Sequence, residues 1–263
     1  MPERRAHAKI NLGLCVGGLR PDGLHEVATV LQRIELADTL SLRSAPRLVV
    51  SGFAADTLVT GALEAFAAAL GVEPHWQVEI DKRIPVAAGL AGGSSDAAAA
   101  LLLANEELGG PLGAEELAAI ASRLGSDVPF FLEPGPKLAS GDGTELEPLE
   151  LPQDYTVLLL SPRGAVKPST ASVYARFDGA AGFADRRRRL RAAAAAGALA
   201  DLPGNDLAES PHAARMRELG AFRAEVSGAG PTVYGLFEQP GRARSAAEEL
   251  RSRGEVCLSA PAW

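Results

Sequence analysis

Apolar residues along this chain follow two rhythms, and each predicts a different element. Over residues 8–16 they alternate closely enough for a strand, and the run Gly17-Gly18-Leu19-Arg20-Pro21-Asp22-Gly23 ends it as a turn. Residues 27–31, 39–42 and 48–51 are short and apolar enough for three further strands. The rhythm then changes. Leu58, Ala62, Ala65, Phe66 and Ala69 recur at helical spacing, and Gly71 marks their end. Residues 77–84 alternate again, with Val78 and Ile80 on one face. Helices are predicted over about 94–108 and 114–124. The second carries Leu117, Ile120, Ala121 and Leu124 as its apolar stripe and Gly125 as its cap.

Residues 148–152, bounded by Pro148 and Pro152, read as a linker, which predicts two domains, 1–150 and 151–263. Beyond the linker come an apolar strand over 155–160, a variable helical stretch, and two strands over 223–238 flanking the turn Gly228-Ala229-Gly230. Strands and helices mix in both halves without strict alternation of strand and helix, so the fold class is α+β.

Between the predicted strand at 77–84 and the helix after it lies IPVAAGLAGGSSDAAAA, residues 84–100. Glycines allow backbone N–H groups to approach a ligand closely, and a helix start adds unpaired donors and the positive end of its dipole. Together these suit phosphate. A Gly-rich turn capped by Ser or Asp is also an ordinary helix start, and both readings stand at this level. The segment is neither a Walker A loop, since no Gly-Lys-Ser/Thr occurs in the chain, nor a dinucleotide fingerprint, since the G-x-G-x-x-G spacing is missing.

Composition narrows the field further. With 263 residues, 47% apolar and 22% charged, the chain has ample core for one large or two modest domains. Its net charge of −7 argues against a nucleic-acid binder. The five arginines of residues 185–191, followed by five alanines and with no interleaved aromatics, read as a solvated helix face. Cys15 and Cys257 lack C-x-x-C spacing and the four histidines lack metal-ligand spacing, so no zinc site is expected. The opening residues are too polar for a signal peptide, and no apolar run reaches membrane-spanning length, which together predict a cytoplasmic protein without a membrane partner.

Three blocks stand in order: AHAKINLGL at 6–14, the glycine loop at 84–100, and SGAGPTVYGLF at 227–237. In order and spacing they resemble the GHMP kinase superfamily, ATP-dependent kinases of small metabolites, over essentially the whole chain. RPDGLHEVATVLQ at 20–32 and GSDVPFFL at 125–132 narrow the resemblance to the branch that phosphorylates the 2-hydroxyl of a cytidylyl methylerythritol in non-mevalonate isoprenoid synthesis. The alternatives are another GHMP small-molecule kinase, acting on homoserine or a sugar, and a catalytically silent ATP-binding regulator.

The resemblance implies a ribosomal-protein-S5-like N-terminal α+β domain and a ferredoxin-like C-terminal one. It implies Asp127 as the base that accepts the hydroxyl proton and Lys9 as the cation that offsets charge on the transferring group. ATP would be bound by Pro85, Val86, Ala87, Ala88, Gly89, Leu90, Ala91, Gly92, Gly93, Ser94 and Ser95, with Thr57 near the adenine where the family often has Asn. Mg²⁺ accompanies ATP in that resemblance; Ser94, Ser95 and Asp96 are open to it or to capping the helix, and none is assigned as its ligand. The small-molecule substrate would meet Asn11, Leu24, His25, Thr170 and Tyr174. Leu24 stands where the family commonly carries a Tyr that stacks on cytosine. The block at 227–232 is open to two readings, closure over the phosphates or a plain hairpin turn.

Overall fold

The structure, a computed structural model, describes residues 2–53, 58–165, 169–179 and 181–263. In chain order the strands and helices are β1 (Glu3–Leu19), β2 (His25–Ser44), β3 (Val49–Ser51), α1 (Leu58–Leu70), β4 (Trp76–Asp81), α2 (Gly92–Glu107), α3 (Ala114–Leu124), β5 (Lys137–Gly141), β6 (Glu145–Pro148) and β7 (Thr156–Pro162). They continue with α4 (Thr170–Tyr174), α5 (Phe183–Ala195), α6 (Pro211–Glu218), β8 (Arg223–Val226), β9 (Val233–Phe237), α7 (Pro240–Leu250) and β10 (Gly254–Ser259). No helix among the described residues is long and apolar enough to cross a membrane.

Two compact units emerge. The first comprises Met1–Ala8, Leu36–Val86 and Ala91–Pro134, and the second Lys9–Glu35, Ala87–Leu90 and Gly135–Trp263. The division expected near residue 150 falls inside the second unit. Its physical reason is that β5 and β6 pair with each other, and β5 with the first half of β2, all within that unit. Within the 148–152 segment, Leu149 N–H donates to Pro136 O at 3.0 Å and Leu151 is buried.

In the first unit β4 pairs antiparallel with residues 39–44 of β2 and parallel with β3. The buried face of α1 (Val59, Ala62, Leu63, Phe66, Ala67) includes Phe66, which meets Trp76 of β4 edge-on at 5.9 Å. On α2 the run Ala97–Ala98–Ala99–Ala100 is buried on all sides, which only side chains this small permit. The helix begins at Gly92, two residues before the predicted start, and β4 ends at Asp81 instead of at Ile84. Gly125 does end α3, as expected, with extended backbone (φ 164°, ψ 151°).

In the second unit four antiparallel strands lie in the order β10-β7-β9-β8. With helices between β7 and β8 and α7 between β9 and β10, this is the βαββαβ arrangement of the ferredoxin-like class. Leu158, Leu160, Val233 and Phe237 of the sheet pack with Met216 of α6 and Ala243, Ala247 and Leu250 of α7. Three arginines of α5 pair with carboxylates of the same unit. Arg191 pairs with both carboxylate oxygens of Glu147, Arg186 with Asp206, and Arg187 with Glu26, consistent with a solvated helix face.

Candidate active site

The glycine loop has its flanks in the first unit and its tip, residues 87–90, in the second. Its flanks are held by charge. The chain leaving β4 turns at residues 82–84, where Asp38, fully buried on β2, receives three hydrogen bonds. Lys82 Nζ donates to Oδ2 at 2.5 Å, and the N–H groups of Arg83 and Ile84 donate to Oδ1 at 2.5 and 2.8 Å. Lys82 also pairs with Asp96 Oδ2 at 2.7 Å, in the opening turns of α2.

Asp96 therefore neither caps the helix nor stands free; its second oxygen, Oδ1, is buried with no hydrogen-bond partner among the described residues. Burial pushes its carboxyl up to about 7, because Lys82 is shared with Asp38 and offsets only part of the desolvation. Burial draws the Lys82 ammonium down, but its two carboxylates outweigh that and hold it above its ordinary value.

The paired glycines at the helix start serve packing. A methyl group at Gly92 would lie 3.0 Å from Ile84 Cγ2 and 3.1 Å from Lys82 Nζ, and one at Gly93 3.2 Å from Leu58 Cδ1. Ser94 and the buried Ser95 follow in the first turn, with Ser95 N–H donating to Ala91 O at 3.0 Å. Pro85 and the exposed Val86 precede the tip.

The tip is held by neutral hydrogen bonds. Lys9 N–H donates to Leu90 O (3.0 Å), Thr232 N–H to Ala88 O (3.2 Å) and Ser227 Oγ to Gly89 O (2.9 Å). With three successive carbonyls engaged, the donor side of its peptide groups is what the tip has to offer an anion. Gly89 cannot be replaced without displacement: its φ is +83°, and a Cβ would fall 2.4 Å from Ser227 O. Ala87 (φ 56°) and Ala91 (φ 55°) also take left-handed backbone, at a cost of about 1–3 kcal/mol each.

Beside the tip, Lys9 and Asn11 occupy alternate positions of β1 and so share a face. Lys9 Nζ donates to Asn11 Oδ1 at 2.8 Å. Asn11 Nδ2 donates to Thr29 Oγ1 (2.9 Å), and Thr29 donates to Gly13 O (2.7 Å). A carbonyl can only accept, so this relay fixes which way the Asn11 amide points and presents its oxygen to the lysine. Gly228 faces the same pair, with a Cβ position 3.2 Å from Asn11 Oδ1 and 3.8 Å from Lys9 Nζ. Asn205 secures that turn, donating to Val226 O and Gly228 O. The 227–232 block thus does more than turn a hairpin, because Ser227 and Thr232 hold the tip itself.

The other expected residues divide between the units. Asp127, half-buried in the first, lies in the turn closed by Val128 N–H on Gly125 O (3.0 Å), with Pro129, Phe130 and Phe131 buried behind it. In the second, His25 Nδ1 lies 2.8 Å from Gly17 O, and its ring is 5.9 Å from Tyr174 and 5.8 Å from Phe177. The carbonyl requires the proton on Nδ1, so in the neutral ring Nε2 is an acceptor. Leu24 is 48% exposed, and Thr170 is exposed at the start of α4, which Ser169 caps. Thr57 lies outside the described residues.

Sequence reasoning missed Asp38, Lys82, Thr29 and Phe177. Phe177 had the signal of an aromatic three residues beyond Tyr174, whereas Asp38 offered none, since an Asp between two apolar runs looks like a turn.

Models of the GHMP kinases N terminal domain and the GHMP kinases C terminal match residues 57–135 and 213–256. A solved homoserine kinase from Cytophaga hutchinsonii shares the fold alone, with a TM-score of 0.69 at 15% identity over 97% of this chain and 95% of its own. These define the class, a two-domain GHMP kinase.

Within the class, a 4-diphosphocytidyl-2-C-methyl-D-erythritol kinase of Nocardia farcinica is 39% identical over 95% of this chain and 89% of its own. The enzyme of that name from Pelotomaculum thermopropionicum is 40% identical over 96% and 95%. A crystal structure of 4-(cytidine 5'-diphospho)-2C-methyl-D-erythritol kinase covers the whole of both chains, with a TM-score of 0.83 at 34% identity. The chain belongs to the 4-diphosphocytidyl-2-C-methyl-D-erythritol kinase family.

Proposed function

We propose that this chain transfers the γ-phosphoryl group of ATP to the 2-hydroxyl of 4-diphosphocytidyl-2-C-methyl-D-erythritol, in the non-mevalonate route to isoprenoid precursors. The observation that carries phosphoryl transfer is the buried Lys9 ammonium, oriented by Asn11 on the unit that also holds the loop tip by its carbonyls. The names of the relatives, at 39–40% identity, carry the substrate. A cytoplasmic location goes with this reading.

In the step proposed, the substrate hydroxyl oxygen bonds to the γ-phosphorus as the bond to the β–γ bridging oxygen breaks, and ADP leaves with that electron pair. The hydroxyl proton passes to the Asp127 carboxylate. Lys9 offsets charge on the transferring group, and the N–H groups of residues 85–95 hold the phosphates. Mg²⁺ belongs to this reading as the ion that accompanies the nucleotide, and the hydroxyls of Ser94 and Ser95 in the first turn of α2 would be the side chains open to it. Among the described residues no group of three or more His, Cys, Asp or Glu could cage it independently. When bound it neutralises phosphate charge.

At the base end, Nε2 of His25 is an acceptor suited to an exocyclic amino group, and the Tyr174 ring supplies an aromatic face. Leu24 supplies an apolar but non-aromatic one, so the KM for the cytidylyl substrate is expected to be weak and to rise further in Tyr174→Ala.

A coupled ADP-release assay tests the proposal, with the cytidylyl methylerythritol beside homoserine, mevalonate and galactose. Activity is expected with the first alone. Asp127→Asn should lower turnover by about 10²–10⁴-fold with the fold retained; near-normal turnover would remove Asp127 as base. ATP binding without activity on any acceptor would point to a silent binding protein.

A further inference from the structure

We propose that Asp38, Lys82 and Asp96 form a positioning device for the phosphate loop, an ion trio that ties the segment before the loop to the helix after it. The proposal rests on the reading that this loop holds the ATP phosphates.

Three observations meet here. Asp38 gathers the side chain of Lys82 and the backbone N–H groups of Arg83 and Ile84, so the last three residues before Pro85 share one anchor. Lys82 carries the tie across to Asp96 on α2, and the helix start sits so close that a Cβ at Gly92 would lie 3.0 Å from Ile84 Cγ2 and 3.1 Å from Lys82 Nζ. Both flanks of the seven-residue stretch 85–91 are therefore pinned, and within it two alanines hold left-handed backbone that an unpinned loop would relax.

The charges point the same way. One ammonium is shared by two buried carboxyl groups, and Asp96 Oδ1 has no hydrogen-bond partner among the described residues. Stability alone favours apolar side chains at such a place, since a buried ion network gains little over a well-packed apolar one. What the trio supplies is a direction-specific link between two chain segments.

Three variants test it, each assayed for steady-state kinetics and for amide hydrogen exchange across 85–91. Asp38→Asn keeps the shape but removes the charge that fixes Lys82. It should raise the KM for ATP about tenfold, leave the KM for the cytidylyl substrate within about twofold, and speed exchange in the loop. Asp96→Leu cuts the tie on the helix side and should do the same. Asp96→Asn retains an acceptor for Lys82 and should keep the wild-type KM for ATP.

Lowered thermal stability with unchanged ATP KM and unchanged loop exchange in both Asp38→Asn and Asp96→Leu would overturn the proposal. So would an Asp96→Asn variant as impaired as Asp96→Leu. If the wild-type protein binds no ATP by calorimetry, the reading of the loop as a phosphate site fails. The exchange measurement then still decides whether the trio positions the loop.

Discussion

The flanks and the tip of the glycine loop are built on different physics. At the flanks one half-buried lysine and two buried aspartates form a charged network. At the tip every fastening is neutral: a strand N–H, a turn N–H and a serine hydroxyl, each to a backbone carbonyl. A neutral hydrogen bond contributes about 1 kcal/mol and can be lost singly, whereas breaking a buried ion pair leaves a charge in low dielectric. The flanks therefore respond to change as a unit and the tip bond by bond.

The largest effect is expected from Lys82→Met, which leaves Asp38 and Asp96 buried without their shared cation. It should cost about 3–5 kcal/mol, read from the midpoint of urea unfolding. A loss below about 1 kcal/mol would erase the distinction between flank and tip. Gly89→Ala comes next. Its Cβ meets the Ser227 carbonyl at 2.4 Å, so the tip must shift, at about 1–3 kcal/mol, with ATP affinity reduced at least about tenfold in a calorimetric titration.

Ser227→Ala removes a single neutral bond to Gly89 O. About 1 kcal/mol is at stake, which corresponds to roughly a fivefold rise in the KM for ATP; a collapse in stability would show that the tip is held cooperatively after all.

A pH dependence also sets the flank apart from the tip. Asp96 is raised to about 7 from the ordinary 3.8, so the folded chain keeps a proton that the unfolded chain releases. That stabilisation is complete below about pH 4 and is lost as pH rises towards 7. Asp96→Asn does not titrate, so its stability relative to wild type should climb across that window and level off above it. A constant difference in melting temperature from pH 4 to 7 would mean that Asp96 stays ionised throughout.

The same contrast explains what could be read in the sequence. The alternation at residues 8–16, the helical spacing of Leu58 to Ala69 and the glycine loop all lie where local periodicity matches the buried face. β2 did not. It is one 20-residue strand, yet it reads as two, because Gln32, Arg33, Glu35 and Asp38 interrupt the apolar pattern. Remote partners hold them. Gln32 donates to Gln153 and to Ala262 O, Glu35 N–H to Ala260 O, and Asp38 accepts from residues 82–84. β10 escaped for the opposite reason: its alternation is shallow and mostly half-exposed.

By itself the sequence determined the order of the three motifs, the helices and most strands, and the glycines where a side chain cannot fit. It also carried the resemblance that names Lys9 and Asp127. Only the tertiary structure decided that Asp38 and Lys82, 44 residues apart, belong to the loop, that Asn11 orients Lys9, and that Ser227 fastens Gly89. The reason is physical. Periodicity records which face of an element is buried, but a buried polar group is satisfied by whichever partner the fold delivers, and no local pattern records that partner.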